Sequence, residues 1–107
     1  MASIPEIDAP AAQAMLAAGK AVLIDVREAD EFARERIPGA RLVPLSTFDP
    51  GAIPAGAVIL QCRVGRRSMD AAQRLAATGR TELFNLRGGI DAWRRAGLAL
   101  EVPRCGP

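Results

Sequence analysis

Hydrophobic and polar positions along the chain fall into short apolar runs separated by helix-like stretches. Val22-Leu23-Ile24 and Val58-Ile59-Leu60 are continuous apolar runs of strand length, and Ala21 and Ala57 extend them. Apolar residues on both faces suit parallel strands covered on both sides. Arg41-Leu42-Val43 and Leu83-Phe84-Asn85-Leu86 read as two further strands, and 57–61, the most apolar, reads as the central one. Between them lie patterns with helical spacing. Asp8 is an N-cap for a helix over 11–18 that Gly19 closes, with Pro10 in its first turn. A short charged helix is expected over Glu28–Arg36, anchored by Phe32; Arg27 and Glu31 pair at i, i+4 if it starts early, and otherwise these charges form a solvated face with loose ion pairs. A longer helix is expected over 67–78, with Met69, Ala72, Leu75 and Ala76 at helical spacing and Gly79 as its stop. A last helix runs from Ile90 to Ala96, with Ile90 and Trp93 facing inward. Pro and Gly mark 47–56 as a surface connection with one helical turn at most. Alternation of short strands with helices predicts an α/β fold: a mainly parallel central sheet of about five strands with helices on both faces.

At 107 residues the chain is expected to form one domain, with its core over about 7–102 and a mobile tail at 103–107. Half the residues are hydrophobic and 24% are charged, which sets disorder and fibrous classes aside. A net charge of +2 is too small to argue for nucleic acid, even though 13 of the 14 basic residues are Arg. The chain has no His, which rules out Ser-His and Cys-His catalytic pairs and His-ligated metal. Two cysteines, Cys62 and Cys105, are too few for a zinc cluster, and free thiols are expected in preference to a disulfide. The N-terminus lacks the pattern of a signal peptide, and no apolar run approaches the ~20 residues of a membrane span. The expectation is a soluble, cytoplasmic monomer without metal or cofactor.

The stretch that carries chemistry is Cys62-Arg63-Val64-Gly65-Arg66-Arg67-Ser68. It places a thiol at the C-terminal end of the central strand, where α/β sheets bind ligands, facing the start of a helix. Inward N–H groups, the helix dipole and the arginines each favour the thiolate, which is the nucleophilic form. Taken alone, Cys62 reads more readily as a small buried hydrophobe at a strand end, which is what most cysteines are. The basic loop that follows it favours the nucleophile. Arg67, opening the helix, is the best-placed guanidinium for an oxyanion, and Arg63 and Arg66 either share that role or point to solvent. Gly65 permits the tight turn.

Four stretches, in order, resemble the rhodanese sulfurtransferase family over roughly Ile7 to Val102. They are Leu23-Ile24-Asp25-Val26-Arg27-Glu28 with Glu31-Phe32, then Arg36-Ile37-Pro38-Gly39-Ala40 with Val43-Pro44-Leu45, then Cys62 to Ser68, then Leu86-Arg87-Gly88-Gly89-Ile90-Asp91-Ala92-Trp93 with Ala96-Gly97-Leu98. Arg36 stands where many members have His, which removes a pH-sensitive group. The resemblance implies a single-domain rhodanese fold with Cys62 as sulfur carrier. Its thiolate takes the outer sulfur of a small anionic donor such as thiosulfate and passes it, as a persulfide, to cyanide or a small or protein thiol. Two rival classes stay open. A phosphatase of related fold needs Cys, five residues and then Arg, whereas Arg67 is the fifth residue after Cys62 and Ser68 the sixth; arsenate reduction stands beside it. A non-catalytic module that binds a partner is the other. Cys105, in the tail, is a candidate second thiol that accepts sulfur from Cys62 or closes a disulfide with it, or else an incidental terminal cysteine.

Overall fold

The computed structural model describes residues 2–103. Its element order is β1 (Glu6–Ile7), α1 (Ala9–Ala17), β2 (Val22–Asp25), α2 (Ala29–Arg34), β3 (Arg41–Leu42), β4 (Val58–Gln61), α3 (Arg66–Ala77), β5 (Leu83–Leu86) and α4 (Gly89–Arg95). Two 3₁₀ turns, Leu45–Thr47 and Pro50–Ala52, fill the connection between β3 and β4. The five strands form one sheet in the order β1-β5-β4-β2-β3, and each neighbouring pair is parallel. The α/β architecture expected from the pattern is therefore present, with β4 at the centre.

Alternation along the strands builds a core on each face of the sheet. Val58, Leu60 and Cys62 from β4 and its end face α3, where Ala71, Ala72 and Leu75 meet Ile24, Val26 and Leu83. Ile59 points the other way, with Leu23 and Leu86, against Ala9 and Ala12 of α1 and Ile90 and Trp93 of α4. Trp93 is a core residue, as expected; it is buried, and its indole Nε1 donates to the Ala99 carbonyl at 2.8 Å. Asp8 caps α1 by accepting the Ala11 N–H at 2.9 Å. No helix among the described residues is long and apolar enough to cross a membrane.

Two expectations for 27–36 require correction. The helix α2 buries none of its residues, and Phe32 is only half-buried, with the Arg36 guanidinium 4.8 Å above its ring. Charge holds α2 in place instead. Arg27 and Glu31 do not pair, because the helix begins at Ala29 and Arg27 stays in the turn before it. Arg27 folds back onto buried Asp25, with its Nη2 2.8 Å from Oδ2, and the same nitrogen donates to the Glu35 carbonyl at 2.7 Å. The strand β1 was not anticipated. Two residues carry no periodicity, and β1 exists through pairing with β5, where the Arg87 N–H donates to the Ile7 carbonyl at 2.8 Å.

Candidate active site

Cys62 follows the last residue of β4 and points to the α3 side, at the C-terminal end of the central strand. Its side chain is buried, while Arg63, Val64 and Arg66 of the loop are exposed. Gly65 turns the chain with φ +102° and is the N-cap of α3. The left-handed conformation favours glycine there. The turn brings the Gly65 N–H to 3.0 Å from the sulfur. Ser68, in the first turn of α3, sets its hydroxyl oxygen 3.4 Å from the sulfur. Burial pushes the Cys62 thiol up, but the Ser68 hydroxyl and the N–H groups of Ser68, Gly65 and Val64 outweigh it and hold the thiol below its usual range.

The loop amides face the sulfur because its carbonyls are engaged elsewhere. Ile90 N–H donates to the Cys62 carbonyl at 2.9 Å and Asp91 N–H to the Arg63 carbonyl at 3.2 Å, both from the first turn of α4. Gly88 and Gly89 take φ +74° and +58° to bring α4 this close. A Cβ on Gly89 would lie 2.6 Å from the Arg63 carbonyl oxygen. The Gly65 carbonyl accepts from Asn85 Nδ2 at 3.1 Å. Asn85 is fully buried on β5, and its Oδ1 also receives the Ser68 hydroxyl at 2.6 Å while Nδ2 reaches Glu6 Oε2 at 3.1 Å. One side chain on the neighbouring strand is thus bonded to two of the residues that contact the sulfur.

The arginines are arranged differently from one another. Arg67 lies in the first turn of α3, but both its terminal nitrogens are forked onto Glu31 of α2, at 2.7 and 2.9 Å. The Arg67 guanidinium holds the Glu31 carboxyl down to about 2, against the opposing effect of burial and with help from the Glu28 N–H. Arg67 is in turn held more firmly protonated, chiefly by Glu31 and also by the charges of Cys62 and Asp25. Arg63 leans towards Asp91 with 3.8 Å between Nε and Oδ2. Arg66 is exposed and pairs with no carboxylate among the described residues.

Of the expected loop residues, Gly65 and Ser68 contact the Cys62 sulfur, whereas Arg63 and Arg67 are turned to carboxylates, Arg66 is exposed and Cys105 lies outside the described residues. Asn85, Glu31, Glu6 and the amides of Ile90 and Asp91 complete the site and were not anticipated. The one local signal for Asn85 is a strand-disfavoured polar residue inside an otherwise apolar run. No cluster of three or more acidic or thiol side chains placed to hold a metal occurs among the described residues.

This is an α/β domain with a buried thiol at the end of a parallel strand, contacted by a loop amide and by a hydroxyl from the first turn of the following helix. Comparison with known proteins makes this specific. The model of the rhodanese-like domain matches residues 8–96, and the chain belongs to that family. The chain is 36% identical over 104 residues to a sulfurtransferase of Allochromatium vinosum, covering 94% of this chain and 97% of that one. It is 30% identical over 110 residues to the human thiosulfate:glutathione sulfurtransferase, covering 87% and 96%. An uncharacterised Synechocystis protein, slr1261, is 39% identical over 80 residues, or 72% of this chain, and the match spans only 45% of that longer protein. Among solved structures, a rhodanese-related protein of Thermoplasma volcanium superposes with a TM-score of 0.83 at 22% identity, covering 92% of this chain and 99% of its own, a likeness of fold.

Proposed function

We propose that this protein is a sulfurtransferase in which Cys62 carries a sulfane sulfur from an anionic donor such as thiosulfate to a thiophilic acceptor. The observation that supports this best is the sulfur's surroundings: an N–H at 3.0 Å and a hydroxyl at 3.4 Å, which overcome burial and hold the thiol below its usual range. The thiolate attacks the outer sulfur of thiosulfate, a new S–S bond forms, and the old S–S bond breaks with its electron pair leaving on sulfite. Cys62 is left as a persulfide anion. Cyanide or a thiolate then attacks the outer sulfur, departs as thiocyanate or a new persulfide, and returns the Cys62 thiolate. Neither step moves a proton once the thiolate exists, which suits a loop without His. The inward amides stabilise the anionic sulfur in thiolate, transition state and persulfide alike. Every group in this scheme comes from one copy of the chain, and a free nucleophilic thiol suits a reducing compartment such as the cytoplasm.

The test is intact mass after incubation with thiosulfate, for wild type and Cys62→Ser side by side, with sulfite and thiocyanate assayed in parallel. The expected result is one added sulfur atom on wild type only, removed by cyanide. Folded, reduced protein that gains no sulfur from thiosulfate or from an organic persulfide would sink sulfur transfer and leave a partner-binding module.

A further inference from the structure

Arg67 is the loop cation best placed to hold an anionic donor, yet its guanidinium is already occupied. Its two terminal nitrogens meet the two oxygens of Glu31 in a fork. This is the geometry that a donor oxyanion would need. Glu31 is not free to swing away, because its Oε1 also accepts the Glu28 N–H at 3.0 Å in the capping box of α2. The pair is within reach of solvent, with the Arg67 side chain 36% exposed and that of Glu31 20%, and Arg67 is close enough to Cys62 to feel its charge. Arg63 faces Asp91, and Arg27 behind the pair is spent on Asp25. Two of the three loop arginines therefore have a carboxylate partner.

We propose that Glu31 is a specificity-determining residue that selects donors by charge. By neutralising Arg67 it disfavours doubly charged sulfur donors and favours singly charged ones, the organic thiosulfonates and persulfides. This rests on the sulfur-transfer reading above and assigns its donor class. Glu31 repels a dianion twice as strongly as a monoanion at the same place. The amides around the sulfur serve the attacked sulfur of either donor, so they do not discriminate. With a thiosulfonate the Cys62 thiolate attacks the outer sulfur, the S–S bond breaks, and the electron pair leaves on a sulfinate. With thiosulfate the same step releases sulfite, so the two donors differ chiefly in charge.

The experiment compares kcat/KM for thiosulfate and for methanethiosulfonate, with cyanide as acceptor, in wild type and Glu31→Gln. The amide keeps an acceptor for the Glu28 N–H and for one Arg67 nitrogen, but leaves the guanidinium charge uncompensated. Glu31→Gln is expected to raise kcat/KM for thiosulfate about fivefold, mostly through KM, and that for methanethiosulfonate only about twofold. A ratio between donors that does not move, in a variant whose thermal unfolding shows it folded, would reduce Glu31 to a strut between α2 and α3. Should Glu31→Gln not fold, ionic strength tests wild type directly. With Arg66 the one loop arginine lacking a carboxylate among the described residues, kcat/KM for thiosulfate falls less than about threefold from about 20 to 200 mM salt, and a steeper fall overturns the proposal. Absence of added sulfur on Cys62 with either donor is a separate outcome, which removes the sulfur-transfer reading and this proposal with it.

Discussion

The Ser68 hydroxyl has one proton and two acceptors, and Ser68→Ala tests which of them takes it when the thiolate forms. Asn85 Oδ1 lies 2.6 Å away and the sulfur 3.4 Å. Asn85 is oriented by the Gly65 carbonyl and the Glu6 carboxylate, which are acceptors only, so its oxygen must face Ser68. In the thiol form the hydroxyl therefore donates to Asn85 and offers the sulfur a lone pair. On ionisation it gains by turning its proton to sulfur. A hydrogen bond to a charged atom is worth about 2 kcal/mol and the neutral bond given up about 1 kcal/mol, which leaves about 1 kcal/mol in favour of the thiolate. Deleting the hydroxyl should therefore raise the thiol's pKa, with about a fivefold loss in its ionisation equilibrium.

Iodoacetamide alkylation against pH, in a Cys105→Ser background so that one thiol reports, reads this without turnover. Below the midpoint the thiolate fraction falls about fivefold, and the higher basicity restores about twofold, so alkylation slows two- to threefold. Well above the midpoint the variant should react about twofold faster than its parent. Stability should drop by about 1–2 kcal/mol in urea, because Asn85 Oδ1 is left buried without its donor. A midpoint that stays put or falls refutes the reasoning. It would mean that the proton stays with Asn85 and that the loop amides alone hold the thiolate.

Asp25→Asn should cost about 3–5 kcal/mol in urea unfolding, since it strands the charge of Arg27, which is 4% exposed. Replacing both partners by apolar residues (Asp25→Leu with Arg27→Met) should cost less than the single change, and the reverse order would count against burial as the cause. Gly89→Ala combines left-handed strain of about 1–2 kcal/mol with a Cβ 2.6 Å from the Arg63 carbonyl oxygen. The loop must shift, so the alkylation midpoint of Cys62 should rise along with a loss of at least about 3 kcal/mol; an unchanged midpoint would show that α4 does not hold the loop. Glu31 is held down to about 2 in the folded state from an ordinary value of 4.5. Its pair with Arg67 therefore stabilises the fold fully above about pH 4.5, and that contribution is lost as pH falls towards 2. After solvent screening the amount is about 1 kcal/mol, and Glu31→Gln should flatten this part of the urea-stability curve between pH 6 and 3.

Elements with a buried face were legible because burial leaves a local pattern. The β4 run, the α3 spacing, the strand at 83–86 and inward-facing Trp93 all follow from it, and the thiol loop was found because it begins where the β4 run ends. Long-range pairing leaves no such pattern. Arg27 and Glu31 have the spacing of a helical ion pair, but Arg27 precedes the helix and Glu31 finds its partner 36 residues away. Phe32 looked like an anchor only on the assumption that a large apolar residue in a charged helix must face a core.

The same distinction accounts for how the site is made. A loop of N–H groups around an anion needs its carbonyls turned outward, and each outward carbonyl needs a donor. Here those donors come from one later segment: Asn85 for Gly65, Ile90 for Cys62 and Asp91 for Arg63. Strand β5 lies beside β4 in the sheet, so the chain that leaves it passes directly behind the loop. Gly88 and Gly89 allow α4 to start within hydrogen-bond reach of that backbone. The Leu86-Arg87-Gly88-Gly89 stretch contributes no side chain bonded to the sulfur, yet it fixes the direction of the amides that are. Cys62 with its loop and the Gly-Gly turn are one structural unit, divided in sequence by α3 and β5.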